Sequence, residues 1–247
     1  LSLCDGILTS EIQQILIKSA NDLISESNPN YQYSAARLLN MQLRKDVWAS
    51  GKKSPAFFTF IAVRVDNGVY DPAILEKWSK QDIEKFESYI NHSRDDLFTY
   101  AGLQQLIDKY LVKNRSTGEI FETPQFAYML IAMCLFDDID EVKKAYDAYS
   151  TFKINLPTPI MAGVRTTIKQ FASCVLVDVE DDLDSIFSSL HAVGKYTARR
   201  AGIGLNMGRI RPINAPIRGG EVIHTGIIPY LKNFESAVKS TSQNGLR

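Results

Sequence analysis

A lone thiol, a run of acids and a zone of arginines carry the chemistry that this 247-residue chain offers by residue type. Cys174 stands in FASCVLVDV, with Ser173 before it and Glu180, Asp181, Asp182 and Asp184 close behind. A thiol at the junction of a loop and a strand can act as nucleophile or reductant. A lone cysteine in a strand is also commonly a small buried hydrophobe. Residue type alone leaves both readings open. Cys4 and Cys134 are too unevenly spaced from Cys174 to build a disulfide framework or a zinc site, and Cys134, inside AMCLF, reads as core. His92, His191 and His224 are scattered, so no metal site and no Ser/His/Asp arrangement is expected.

The second signal is charge. Positions 185–220 hold no Asp or Glu, yet Lys195, Arg199, Arg200, Arg209, Arg211 and Arg218 fall there. Arginine grips phosphates bidentately, and Gly202, Gly204 and Gly208 in the same zone would let backbone amides approach a ligand. A solvated basic face paired with the upstream acids explains the charges equally well. The spacing Gly-x-Gly-x-x-x-Gly has one residue too many for a dinucleotide fingerprint, and it follows a helix rather than a strand. These glycines mark close backbone approach instead.

The surrounding pattern must position these groups. Thr9 and Ser10 can cap a helix with Ile12, Ile15, Leu16 and Leu23 on one side, and residues 31–49 carry Leu38, Leu39, Met41, Leu43 and Val47. Ser54-Pro55, Asp71-Pro72 and Thr123-Pro124 each set a capping side chain before a proline. Residues 110–122 read as a hairpin turning at Gly118, and residues 126–136 as a buried core helix. From about residue 154 the texture changes. INLPTPIMAGV reads as an extended loop, and FASCVLVDV as a strand buried on both faces. A helix follows, opened by the acids and striped with Leu183, Ile186, Leu190 and Val193; then a strand in AGIGLNMGRIR and a helix over 226–241. Helical first, α/β second, is the expected order.

Composition limits the function classes. The chain is 45% hydrophobic and 23% charged with zero formal net charge, which argues against general nucleic-acid or membrane-surface binding. No apolar run nears the roughly 20 residues of a membrane span. A reducing cytoplasm is the expected compartment. The chain opens at Leu1 with no initiator methionine or signal peptide and closes in SQNGLR, so a fragment is expected.

Six segments together resemble one family: NPNYQYSAARL, STFKINLPTPIMAGVRT, QFASCVLVDVEDDLDSI, RAGIGLNMGRIR, PIRGGEVIHTGIIPY and AVKSTSQNGLR. They are similar to the large, catalytic subunit of class I ribonucleoside-diphosphate reductase, in its bacterial and T4-like phage forms. The resemblance implies a remnant of an ATP-cone over 1–24, a helical N-terminal domain over 25–153, and the start of a ten-stranded α/β barrel over 154–247.

It also implies roles. Cys174 would be the redox thiol that helps expel the ribose 2′-hydroxyl as water, then pairs with a second cysteine later in the protein. Ser173, Ala201 and Gly202 would contact the substrate, and Thr158 its diphosphate. Asp181, Asp182 and Leu183 would recognise the sugar and base of an effector deoxynucleoside triphosphate, with Arg211 and Arg218 on its phosphates. Gln243 and Arg247, in the final loop, would relay effector identity to the substrate site. Thr9 and Lys45 match ATP-contacting positions of a cone whose glycine-rich front is missing.

Partners implied by the resemblance are a second large subunit, a metal-containing small subunit that supplies a radical, thioredoxin or glutaredoxin, and the C-terminal remainder of the large subunit. The chain itself binds no cofactor; ATP and deoxynucleoside triphosphates are effectors. The family's radical cysteine lies beyond Arg247, so this polypeptide alone is expected to be inactive. The competing reading is a non-catalytic half of a split reductase that binds nucleotides or docks onto a separate chain.

Overall fold

A computed structural model describes residues 5–48, 53–114, 116–199 and 201–241. The chain divides into two compact units, Leu1–Lys169 and Gln170–Arg247. Residues 154–169, which open the second domain in the resemblance-based division, fall in the first unit.

The first unit is built of helices α1 (Thr9–Asp22), α2 (Tyr31–Val47), α3 (Phe57–Asp66), α4 (Ala73–Lys77), α5 (Lys80–Tyr89), α6 (Tyr100–Lys109), α7 (Pro124–Leu135), α8 (Ile139–Ser150) and α9 (Thr158–Gly163). A 3-10 turn, His92–Leu97, separates α5 from α6. Helix α7 is apolar all round and buried from Pro124 to Met133, as its sequence required. Its Phe126 ring packs, tilted, 4.7 Å from that of Phe57 and 4.5 Å from that of Phe60, joining α7 to α3. Burying such a ring is worth about 1.5–3 kcal/mol, so Phe126 anchors the unit. The expected hairpin is present: Lys113 bridges Ile120, and Gly118 takes the positive φ of 79° that its turn needs.

Several local expectations are corrected. Helix α1 is preceded by Leu8, not capped by Thr9 or Ser10, because the Glu11 carboxylate accepts the Leu8 N–H at 2.9 Å. Its buried face is Gln13, Ile17 and Ala20, while Leu16 and Leu23 are exposed. Packing against α2, where Gln13 donates to the Leu38 carbonyl at 2.9 Å, selects that face. Met41 of α2 is likewise exposed. Ser54 caps nothing: α3 starts at Phe57, whose N–H is taken by Glu87 of α5 at 2.9 Å. Asp71 accepts the Ala73 N–H at 2.9 Å, but α4 begins one residue past the proline, so Pro72 and not Asp71 is its N-cap. Thr123 precedes Pro124 at the first position of α7, yet its buried hydroxyl makes no capping bond. The largest correction is α9, a short helix inside the segment read as an extended loop. Pro157 precedes it and Pro159 lies in its first turn, where no N–H is owed to an earlier carbonyl.

The second unit holds a parallel pair, β1 (Cys174–Asp178) and β2 (Gly202–Asn206), joined through helix α10 (Leu183–Ala198). A small antiparallel hairpin, β3 (Pro216–Ile217) and β4 (Val222–Ile223), precedes helix α11 (Ile228–Thr241). Its core gathers Val179, Ile186, Val193, Met207, Ile210 and Phe234. Asp182 caps α10 by accepting the Ser185 N–H at 2.8 Å, as the acid run suggested. Leu183, expected in the apolar stripe of α10, is instead 60% exposed. Strand β1 is not buried on both faces. Helix α10 covers one face, where Val177 joins the core, and Leu176 on the other face is 87% exposed. A helical unit followed by the opening α/β elements is the order expected; among the described residues no closed barrel forms.

Candidate functional site

The parallel register builds the first cluster. Cys174 lies opposite Gly202, and the Gly202 N–H donates to the Ser173 carbonyl at 2.8 Å. This places Ser173 and Cys174 beside Ala201 and Gly202, so four of the residues assigned to substrate come together. Strand alternation puts the Cys174 side chain on the open face with Leu176 and Asp178, and the thiol is exposed. The buried-hydrophobe reading of Cys174 therefore fails, whereas Cys134 is half-buried against the core and desolvation pushes its thiol up to about 11. The glycine reading holds at Gly204: a Cβ there would lie 2.6 Å from Leu176 Cδ2 across the ladder.

The second cluster lies just past the C-terminal end of β1. The Arg211 guanidinium donates from Nε to Asp181 Oδ2 at 2.6 Å, and the Arg211 backbone N–H donates to Oδ1 at 3.1 Å. These bonds, the backbone one first, hold the Asp181 carboxyl below its usual range. Arg209 pairs with Glu180, and Asn206 donates to Asp178 Oδ1 at 2.7 Å. Asp181 and Arg211, assigned to opposite ends of an effector, are in direct contact. Asp182 and Leu183 follow at the start of α10. Arg218 is exposed on the β3–β4 hairpin at a φ of 53°, and among the described residues it makes no ion pair. The basic zone thus contains both features weighed in the sequence: acid-paired arginines and a free cation.

Thr158 belongs to the first unit, as the first residue of α9, and its Oγ1 sits 3.4 Å from the Tyr110 hydroxyl. Thr9 and Lys45 are exposed on α1 and α2. Gln243 and Arg247 lie outside the described residues, as do Cys4 and Arg200.

Sequence reasoning missed the buried charges. Arg165 and Glu122 form a fully buried ion pair, with the Tyr70 hydroxyl donating to Glu122 at 2.8 Å. The available signal was Arg165 standing as the only charge between Lys153 and Lys169. It also missed the ring of His224, buried beside Tyr230 and accepting the Gly226 N–H at 3.0 Å. No group of three or more His, Cys, Asp or Glu among the described residues could hold a metal ion. No described helix is long and apolar enough to cross a membrane.

Residues 96–169 match the family model described as "Ribonucleotide reductase, all-alpha domain", and residues 172–247 match "Ribonucleotide reductase, barrel domain". An all-α unit running into the start of a barrel is the class of protein that these matches and the two units define. The chain belongs to the ribonucleotide reductase large-subunit family. It is 51% identical to ribonucleoside-diphosphate reductase 1 subunit alpha of Salmonella typhimurium and 50% identical to that of Escherichia coli K12, over 98% of this chain and 33% of each relative. To ribonucleoside-diphosphate reductase subunit alpha of Enterobacteria phage T4 it is 49% identical, again over 98% of this chain and 33% of that protein. The chain spans about a third of the length of these curated relatives.

Proposed function

We propose that this chain forms part of the large subunit of a ribonucleoside-diphosphate reductase, which converts ribonucleoside diphosphates to 2′-deoxyribonucleoside diphosphates. The observation that carries the reading is the Cys174–Gly202 register, which holds an exposed thiol beside Ser173, Ala201 and Gly202.

In this reading Cys174 and a second cysteine in the remainder of the large subunit supply two electrons and two protons. The substrate C2′–O bond breaks, the oxygen leaves as water, a hydrogen takes its place, and the two sulfurs join in a disulfide. A dithiol protein of the thioredoxin or glutaredoxin class returns them to thiols. A separate metal-containing small subunit supplies the radical that starts the reaction. Thr158 binds the diphosphate. Asp181, Asp182, Leu183, Arg211 and Arg218 bind an effector deoxynucleoside triphosphate, with Gln243 and Arg247 relaying its identity. Thr9 and Lys45 contribute to ATP binding. The exposed Leu183 and Phe187, one helical turn apart on α10, support pairing with a second large subunit. A reducing cytoplasm suits a thiol that must stay reduced between turnovers.

The test is Cys174→Ser in the full-length subunit, assayed with the small subunit and a dithiol reductant. Nucleotide reduction should vanish while effector binding stays within about twofold, because the variant leaves the Asp181–Arg211 cluster intact. Retained turnover would exclude Cys174 as reductant.

A further inference from the structure

Thr158 and Arg165 share one short segment, and that segment is fastened from inside. Arg165 is 0% exposed. Its Nε donates to Glu122 Oε2 at 2.8 Å and its Nη2 to the other Glu122 oxygen. Its Nη1 donates to the Met161 carbonyl of α9 at 2.7 Å, and Nη2 also reaches the Tyr110 carbonyl at 3.0 Å. Glu122 is equally buried and is itself held by the Tyr70 hydroxyl at 2.8 Å and the Val112 N–H at 2.7 Å. The Arg165 backbone is pinned as well, its carbonyl accepting the Asp71 N–H at 3.0 Å.

Removing two charges from water costs several kcal/mol per ion, and a well-packed apolar pair commonly stabilises a core as much or more. Stability alone therefore gives little reason for this pair. What an apolar pair lacks is direction: a planar guanidinium bidentate to a carboxylate has one geometry, and so do the carbonyls it holds. Here those carbonyls belong to α9 and to Tyr110, whose hydroxyl lies 3.4 Å from Thr158 Oγ1. Arg165 thus grips the helix that carries Thr158 and the residue that touches the Thr158 hydroxyl.

We infer that Arg165, locked by Glu122, is a positioning residue that sets α9 against Tyr110 so that the Thr158 hydroxyl is aimed at the substrate diphosphate. This rests on the proposed role of Thr158. Its specific content is that the clamp acts on substrate binding through one hydroxyl.

The experiment uses the full-length large subunit with its small subunit, measuring KM and kcat for CDP. Three changes are compared: Thr158→Ala, Tyr110→Phe, and the paired Glu122→Leu with Arg165→Met, which leaves no buried charge unpaired. All three should raise KM, the clamp and tyrosine variants by about three- to tenfold, with kcat moving less than KM. Adding either change to Thr158→Ala should raise KM little further, because both work through the same hydroxyl. A merely structural role would lower the melting temperature without this KM pattern or this non-additivity. If Thr158→Ala raises KM while folded Tyr110→Phe and clamp variants do not, the inference is overturned and the role of Thr158 survives. If Thr158→Ala leaves KM unchanged, that role fails and the inference with it. Should the paired variant not fold, Tyr110→Phe decides, since it removes only a hydroxyl.

Discussion

The Asp181 carboxylate grips Arg211 at two points, taking the backbone N–H on one oxygen and the guanidinium Nε on the other. An arginine oriented in this way, with its Nη2 also reaching the Asp181 carbonyl at 3.4 Å, keeps Nη1 available for an anion, and a hydrogen bond to a charged group is worth about 1.5–3 kcal/mol. In the full-length protein, Arg211→Ala should weaken binding of a deoxynucleoside triphosphate by about ten- to a hundredfold. Asp181→Asn, which loosens the aim but keeps the cation, should cost less. Isothermal titration with dTTP measures both, and wild-type affinity in both variants would remove this cluster from the effector site.

The two described cysteines should differ sharply in reactivity. Cys174 is exposed on the open face of β1, whereas burial pushes the Cys134 thiol up to about 11. At pH 8 only about one Cys134 in a thousand is thiolate, and that thiolate is also shielded. Iodoacetamide at pH 8, read by peptide mass spectrometry, should label Cys174 at least about tenfold faster. Labelling of Cys134 should keep accelerating towards pH 11. Equal rates at pH 8 would contradict the exposure of β1.

His92 sets a pH dependence of stability. Its ring packs 5.0 Å from Trp48 and 5.2 Å from Phe126, and burial, with the charge of Arg44, lowers its pKa from 6.5 to about 4. The unfolded chain gains a proton near pH 6.5 that the native state refuses until about pH 4. The contribution is therefore complete above pH 6.5 and is lost as pH falls, by about 2 kcal/mol at pH 4.5. Asp95, whose carboxyl is raised by burial and which pairs with Arg44, acts in the opposite sense. The measurable quantity is thus a difference: between pH 7 and 4.5, urea stability of the 247-residue chain should fall less in His92→Phe than in wild type. Equal falls would show that His92 ionises freely.

Two glycines should respond differently to alanine. At Gly204 the new Cβ meets only the tip of the exposed Leu176 side chain, which can swing away. At Gly226 the backbone has a φ of 83° and the Cβ would lie 3.2 Å from Ile213 Cβ. Gly226→Ala should cost about 1–3 kcal/mol and Gly204→Ala under about 1 kcal/mol. Urea midpoints of the two variants decide; the reverse ranking would place the larger strain in strand β2 and not at Gly226.

What was legible in the sequence was local or periodic. FAYMLIAMCLF shows α7 because no face of it is polar, and Asp182 shows the start of α10 because its carboxylate caps it. Gly204 announced close approach, and Leu176 is what it approaches. Residues 158–163 stayed hidden because two prolines suggest extension, yet both sit where a helix tolerates them. The α1 stripe was misjudged because α2 chooses the buried face. An apolar strand such as β1 cannot say by itself how many of its faces a neighbour covers. Arg165 and Glu122 are 43 residues apart, so neither predicts the other. The roles of Ser173, Cys174, Ala201 and Gly202 came from resemblance; the adjacency of the two pairs came from the β1–β2 register.

That register also has a history. The partner of each β1 residue lies 28 positions later in the chain. At about 5–20 residues per second, a ribosome needs on the order of 1–6 s to deliver it. Throughout that interval newly made β1 lacks the one strand that pairs with it among the described residues, and Cys174 and Leu176 emerge ahead of the strand that will align them. Helix α10, whose bonds are all local, can form first and hold the apolar side of β1. The nascent thiol therefore meets the surrounding redox pool before it meets Gly202, and a slow stretch of codons between the two strands would lengthen that exposure.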